Sequence, residues 1–380
     1  MIVAENDAKR FLAPYGLRVP RGRAAHSVEE AIEIAEGLGY SCVVKALIPT
    51  GGRGKAGGVK ACATPEQVRE AAEMLLGHEM LGHRVQAVLV EEKVSISREI
   101  YAGVVANTAS DMIDLVVSFE GGVEVESLAQ RDRSAILQMS IEPGDILPIH
   151  RVRRWLQQSA PQSLNVGMLA EVLVQLYRAA ADLDAILLEV NPLAVTSEGM
   201  LSLVDCKLEV DDNAIPRQPQ LAELYRASLS ERELRARELG VSYVPLDGDI
   251  GVITSGAGLG MATLDLLKRS GLSPANFLDT GGGISEAMVK GALELIMEPP
   301  QVKGAIVNLY GGINRMVEAA KGILAALENI PGNRPIVVKI IGNQQEEAWQ
   351  MLRHQPDIHI IQVVQTEAAV AKLAELVGER

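Results

Sequence analysis

Apolar and polar positions divide the chain into two differently patterned halves. In the first half, Asn6–Tyr15 reads as a short helix stopped by Gly16, with Pro20 beyond it. A capping box, Ser27-Val28-Glu29-Glu30, opens a second helix that runs to about Gly37. Thr64-Pro65-Glu66-Gln67 opens a third, with a hydroxyl cap and a proline at the first helical position. Apolar runs predict strands at Ser41–Ala46, Val85–Glu91, Glu99–Val105 and Ile113–Ser118, the last two in a meander. Glu120-Gly121-Gly122-Val123-Glu124 reads as a turn with acidic flanks. Val166–Leu183 is a strongly apolar helix, followed by strands at Ala185–Pro192 and Leu201–Leu208 that read as a hairpin around Ser197-Glu198-Gly199.

From about Asp211 to Gly240 the chain turns polar, with two prolines and one charged helix at Ser230–Leu239, and reads as a connection between domains. Beyond it, strands at Asp249–Thr254, Ala275–Leu278, Gly304–Leu309, Pro335–Ile340 and Asp357–Val363 alternate with helices. That alternation predicts a parallel, doubly wound sheet whose ligands lie at the carboxyl ends of the strands. Three of those ends carry glycine turns: Ser255-Gly256-Ala257-Gly258, Gly281-Gly282-Gly283 and Gly311-Gly312-Ile313. The domain expectation is a nucleotide-binding domain over 1–229, a connection over 230–241 and a second α/β domain over 242–380.

Composition narrows the function classes. At 380 residues the chain is long enough for two or three cores. With 3% aromatic residues those cores are aliphatic. A net charge of −13 argues against nucleic acid or an anionic membrane as a partner. Cys42, Cys62 and Cys206 are far apart and lack CxxC spacing, which points away from disulfides and zinc and fits a reducing, cytoplasmic setting. Neither a signal peptide nor an apolar run of membrane-spanning length is visible.

Against that acidic background one stretch is basic. The strand Val43–Ala46 carries Lys45 and leads into Thr50-Gly51-Gly52-Arg53-Gly54-Lys55-Ala56-Gly57-Gly58. Glycines let backbone N–H groups approach phosphate oxygens while lysine and arginine neutralise their charge, so the stretch suits a polyphosphate; a surface turn with solvated bases is the alternative. Glu189 and Asn191 lie two apart on one strand, as do Asp205 and Lys207 on the next. If those strands pair, Asn191 and Asp205 come within reach of one Mg²⁺ whose shell nucleotide phosphates complete; the alternative is a polar outer face. Glu91 and Glu92 end a buried strand and Glu99 follows, placed to accept from a ribose hydroxyl or adenine amino group, or simply to face solvent. In the second half, the glycine turns before helices are candidate anion sites. None of the six histidines sits in a glycine turn after a strand or has metal-ligand spacing, and no Ser-His-Asp or GxSxG arrangement is present. Phosphate chemistry here lacks a nucleophile of its own.

Taken together, TGGRGKAGG, LVEE, EGGVEVE, LEVNPLAVT, DCKLEVDDNA, LDGDIGVITSGAGLGMATLD, PANFLDTGGG and NLYGGINR resemble the β subunits of succinate–CoA ligase, in that family's order and over nearly the whole chain. The resemblance implies an ATP-grasp domain followed by a flavodoxin-like CoA-ligase domain. It implies a reversible reaction that makes acyl-CoA from nucleotide, acid and CoA, with Mg²⁺ and ATP/ADP. Lys45, Gly52, Arg53 and Gly54 would contact phosphates, Glu91 and Glu99 the nucleotide, and Asn191 with Asp205 the Mg²⁺. Glu189 would face a phosphohistidine; Ser255, Gly312, Ile313 and Asn314 would hold the dicarboxylate. In that family the phosphohistidine and the CoA site belong to an α subunit, in an αβ or α₂β₂ assembly. Pro20 favours ADP/ATP over GDP/GTP. The pattern departs at Ser255, where the family has Asn, at Val94 and Cys206, and in a shortened loop before Val85. Malate–CoA ligase and citryl-CoA synthetase β-type chains are similar as well, and a non-catalytic nucleotide-binding partner is a further alternative.

Overall fold

The computed structural model describes residues 1–122, 132–332 and 334–378, so Val123 and Glu124 of the acidic turn lie outside the described residues. The chain divides into two units, Met1–Tyr225 and Arg226 onward.

Two large antiparallel sheets build the first unit, beside a two-stranded one of Glu79–Met80 and His83–Arg84. One has seven strands, in the order Ile2–Val3, Cys206–Val210, Ala185–Thr196, Ile96–Asn107, Met112–Ser118 and Leu137–Ile141, with Leu201–Leu203 also pairing with Ala185–Thr196. The expected meander is its far side. The helix Val166–Asp182 packs Leu169, Leu173 and Leu176 into one core with Ile100, Val104, Leu188 and Leu193. The other sheet runs Gly22–Ala25, Val88–Glu92, Cys42–Ala46 and Val59–Cys62. Its strands put Cys42, Val44, Ala46, Val88 and Val90 against the helices Val28–Gly37 and Pro65–Leu75. Pleating alternates side chains between faces, so Val43, Lys45, Leu89 and Glu91 point the other way.

The helix caps follow the sequence with one shift. Ser27 Oγ accepts from Glu30 N–H at 3.2 Å, but the Glu30 carboxylate accepts from His26 N–H at 2.7 Å rather than from Ser27. Gln67 likewise reaches past its cap to Ala63 N–H, at 2.7 Å. A fully reciprocal box forms at Ser230 and Glu233, opening the helix Glu231–Glu238. The predicted strand Leu201–Leu208 is divided: Val204 and Asp205 interrupt it, and both halves pair with Ala185–Thr196.

In the second unit six strands run in the order Ser242–Pro245, Asn276–Asp279, Ile250–Thr254, Gly304–Arg315, Ile336–Asn343 and Ile358–Ile360. The last five are parallel, and a helix follows each. Helices Glu286–Met297, Met316–Leu327 and Gln345–Leu352 bury one face, and Ala257–Arg269 with Thr366–Gly378 bury the other. Ser242–Pro245 pairs antiparallel at the edge and has no counterpart in the sequence reading. Its four residues are too few for a visible period, and its proline fits only an edge. Among the described residues no helix is long and apolar enough to cross a membrane.

Candidate functional site

The helix Glu5–Leu12 buries Glu5, Ala8, Lys9 and Leu12, one stripe at helical spacing that contains an acid and a base. These two charges meet the charged face of the four-stranded sheet. Glu5 Oε1 lies 2.7 Å from Lys9 Nζ and 3.0 Å from Lys45 Nζ. Glu91 Oε1 lies 2.5 Å from Lys45 Nζ, and its Oε2 lies 2.6 Å from Lys9 Nζ. Both lysines also donate to the Val204 carbonyl at 2.7 Å. The glycine loop folds back so that Arg53 Nη2 lies 2.6 Å from Glu5 Oε2 and 2.6 Å from Asp205 Oδ1, while Nη1 donates to Ala46 O at 3.1 Å. Gly52 has φ +79°, a conformation that glycine adopts without strain, at the point where the loop turns toward Arg53.

Three cations and three carboxylates thus form one network. Glu5, Lys9, Lys45, Arg53 and Glu91 are buried, whereas Asp205 keeps 36% of its side chain exposed. Buried charges are tolerable only when paired in this way. Burial pushes the Glu5 carboxyl up, but Lys45, Lys9 and Arg53 outweigh it and hold the group well below the usual carboxylate range. Burial lowers Lys45 and Arg53, but Glu5 with Glu91 and Asp205 raises the former, and Glu5 with Asp205 the latter, so both stay charged. Asp205 goes the other way. Burial and the nearby Glu5 raise it more than Arg53, Lys45 and Lys9 lower it. An incoming cation would stabilise its charge.

Asp205 faces a cavity of about 830 Å³, within the range of small-molecule sites. Lys45, Gly52, Arg53, Gly54 and Lys55 line one part of it; Glu99, Glu189, Asn191, Asp205 and Lys207 line another. The hairpin register explains the second group. Glu189 pairs with Lys207, and Asn191 N–H donates to Asp205 O at 3.0 Å, so the four polar residues share one face. Asn191 Oδ1 accepts from Gly122 N–H at 2.8 Å. Glu5 lines the cavity as well. Glu91 does not: both its oxygens are held by the two lysines. Of the two acids that the sequence places at strand ends, Glu99 lines the cavity and Glu91 lies behind Lys45 and Lys9. Glu5 and Lys9 are absent from the motif reading; the signal was an acid and a base four apart inside a stripe that is otherwise apolar.

In the second unit the strand Gly304–Arg315 runs further than expected. Its pairing with Ile336–Asn343 breaks between Gly311 and Arg315, so Gly312, Ile313 and Asn314 form a bulge that precedes the helix Met316–Leu327. Ile313 is 92% exposed. Asn314 Oδ1 accepts from Gly283 N–H at 2.8 Å, which ties two of the three glycine turns together. Ser255 Oγ accepts from Tyr310 N–H at 2.9 Å and lies 3.1 Å from Tyr310 O, to which it donates. Its one proton is thereby committed to the backbone. Asp279 Oδ1 accepts from Gly256 N–H at 2.5 Å and from Gly281 N–H at 2.8 Å, so an internal carboxylate already occupies the amides of two turns.

The ATP-grasp domain family matches residues 2–195, and the CoA-ligase family matches residues 253–375. The chain is 43% identical over 357 residues to the β subunit of a GDP-forming succinate–CoA ligase from Thermus thermophilus, covering 94% of each chain. It is 42% identical over 354 residues to the β subunit of an ADP-forming succinate–CoA ligase from Roseiflexus sp., covering 93% of each. A third relative, β subunit 1 of an ADP-forming succinate–CoA ligase from Archaeoglobus fulgidus, is 40% identical over 385 residues and covered completely. Among solved structures, an ATP citrate lyase from Methanothrix soehngenii in complex with citrate and coenzyme A superposes with a TM-score of 0.78 at 18% identity, covering 98% of this chain and 99% of that one. At that identity the likeness is one of fold.

Proposed function

Since this chain belongs to the family of succinate–CoA ligase β subunits, a family of nucleotide-using ligases, we propose that it serves an ADP-forming succinate–CoA ligase, converting ATP, succinate and CoA to ADP, phosphate and succinyl-CoA. The observation that carries this reading is the meeting of Lys45, Arg53, Glu189, Asn191 and Asp205 on one cavity. Lys45 and Arg53, with the open backbone of Gly52 and Gly54, bind and orient the phosphates. Ammonium and guanidinium groups in a recessed site stabilise phosphate charge without reorganising.

Asn191 and Asp205 would hold Mg²⁺. One amide oxygen and one exposed carboxylate oxygen are the hard donors it accepts, and two protein ligands are the usual number when phosphates and water complete the shell. Bound there, the cation would neutralise phosphate charge. Glu189, on the same face as Asn191, orients the acceptor histidine. Among the residues lining the cavity there is no histidine. The acceptor therefore belongs to a partner, an α subunit that also supplies the CoA site. Its phosphohistidine passes the phosphoryl group to the acid, CoA displaces phosphate from the acyl phosphate, and the histidine is regenerated.

In this reading residues 1–229 handle the nucleotide, 230–241 connect, and 242–380 hold the acid through Gly312, Ile313, Asn314 and the Ser255 turn. Asn314 Nδ2 is the side-chain donor left for a carboxylate, because Ser255 is committed to Tyr310. Pro20 supports the adenine nucleotide. The three cysteines are buried and free, which suits a cytoplasmic enzyme. The test is Asp205→Ala: phosphorylation of the α-subunit histidine by Mg-ATP should be lost while the second unit stays folded. Retained phosphorylation would remove the metal assignment.

A further inference from the structure

Glu5 is, among the described residues, the one carboxylate within ion-pair distance of Lys9, Lys45 and Arg53 together. Its Oε1 faces Lys45 and Lys9, and its Oε2 faces Arg53. Glu91 reaches only the two lysines, and Asp205 reaches only Arg53. The two anions on Arg53 also differ in access. The Glu5 side chain is 2% exposed, against 36% for Asp205. A divalent cation entering the cavity reaches Asp205 before Glu5, and a carboxylate oxygen that turns to a cation leaves Arg53. What then remains on Arg53 is Glu5 Oε2 and the Ala46 carbonyl.

We propose that Glu5 is a positioning residue for the nucleotide phosphates: it fixes the Lys45 ammonium and the Arg53 guanidinium in the cavity wall, and stays on Arg53 when Asp205 takes up a divalent cation. The inference rests on the nucleotide reading above. Glu5 sits on the helix Glu5–Leu12, whose buried stripe of Ala8 and Leu12 anchors it in one core with Leu188, Leu203 and Leu208 of the hairpin, independently of the loop. Lys9, one turn along, holds the same Oε1 and thereby sets the direction of the carboxylate. The loop that carries Arg53 is rich in glycine, so its own backbone supplies little of this rigidity. A flexible guanidinium must be ordered on binding, whereas one already held binds phosphate without that loss. Glu5 could instead act as a rival anion, screening the cations from phosphate. The two roles predict effects of opposite sign.

The experiment is calorimetric titration of the full chain with Mg-ADP and with adenosine, alongside thermal melts without ligand. Glu5→Gln should raise the Mg-ADP dissociation constant by about tenfold or more, equal to about 1.4 kcal/mol, and leave adenosine binding unchanged. Glu5→Asp keeps the charge but cannot reach the lysines and Arg53 together, so it should fall between Glu5→Gln and wild type. Unchanged or tighter Mg-ADP binding by a folded Glu5→Gln chain overturns the proposal, as does parallel weakening of adenosine, which a purely structural role would cause. If Glu5→Gln does not fold, Glu5→Asp decides: an intermediate constant supports the proposal, and a wild-type constant overturns it. A wild-type chain that does not bind Mg-ADP overturns the nucleotide reading itself, and the inference with it.

Discussion

Lys45 is held at three points, by Glu5, Glu91 and the Val204 carbonyl, so its charge stays in a wall that would otherwise expel it. The same physics acts at Asp114, a buried acid that does not line the cavity. Asp114 accepts from Ser140 Oγ at 2.6 Å and from Asn107 Nδ2 at 2.7 Å. Burial pushes its carboxyl up, but hydrogen bonds from Ser140, Asn107 and Gln138 outweigh it and hold the group below its ordinary value. A depressed carboxyl binds fewer protons in the folded state than in the unfolded one. Its contribution is therefore present above the unfolded value, near pH 4, and is lost as pH falls through the folded one. Asp114→Asn should flatten the fall of the first unit's melting temperature between about pH 5 and pH 3. A slope equal to wild type would show that Asp114 does not carry this effect. Lys45, Arg53, Asn191 and Asp205 were legible because each breaks a local pattern: a lysine on an apolar strand, an arginine among glycines, polar residues at spacing two on a hairpin. Glu5 and Lys9 were not, because an acid and base four apart on a helix look the same whether solvated or buried. Only the fold brings the strand Cys42–Ala46 beneath that helix.

Elements were legible in type and less so in extent. Every predicted strand of the second unit is present, since alternating apolar strands and helices leave few topologies open. The strand Gly304–Arg315 exceeds its apolar run because backbone pairing continues where side chains turn polar. The division of Leu201–Leu208 at Val204 and Asp205 is likewise a matter of backbone: the Val204 carbonyl is turned to the two lysines. Helix packing carries a sharper prediction. A Cβ on Gly322 would lie 2.6 Å from Glu286 O and 2.8 Å from Val289 Cβ, where the helices Met316–Leu327 and Glu286–Met297 touch. Backbone cannot yield there as a flexible side chain would. Gly322→Ala should destabilise the second unit by about 1–3 kcal/mol, read as a lower urea midpoint. An unchanged midpoint would mean that the two helices separate more readily than their contact distances imply.

At the scale of the molecule, the first unit offers a cavity lined by basic, acidic and amide side chains with no histidine among its described lining residues, and the second offers backbone amides, some already filled by Asp279. The net charge of −13 leaves the basic stretch around Arg53 a local exception on a surface unattractive to nucleic acid. How the Ser255 hydroxyl is oriented had no signal in the sequence, and only the fold shows it bonded to Tyr310. The most direct measurement mixes this chain with its α partner, Mg-ATP and CoA, and follows acyl-CoA formation with succinate, malate or citrate in turn. The account predicts succinyl-CoA, with no product when either chain is omitted. Turnover by this chain alone would contradict it, as would product from malate or citrate but none from succinate.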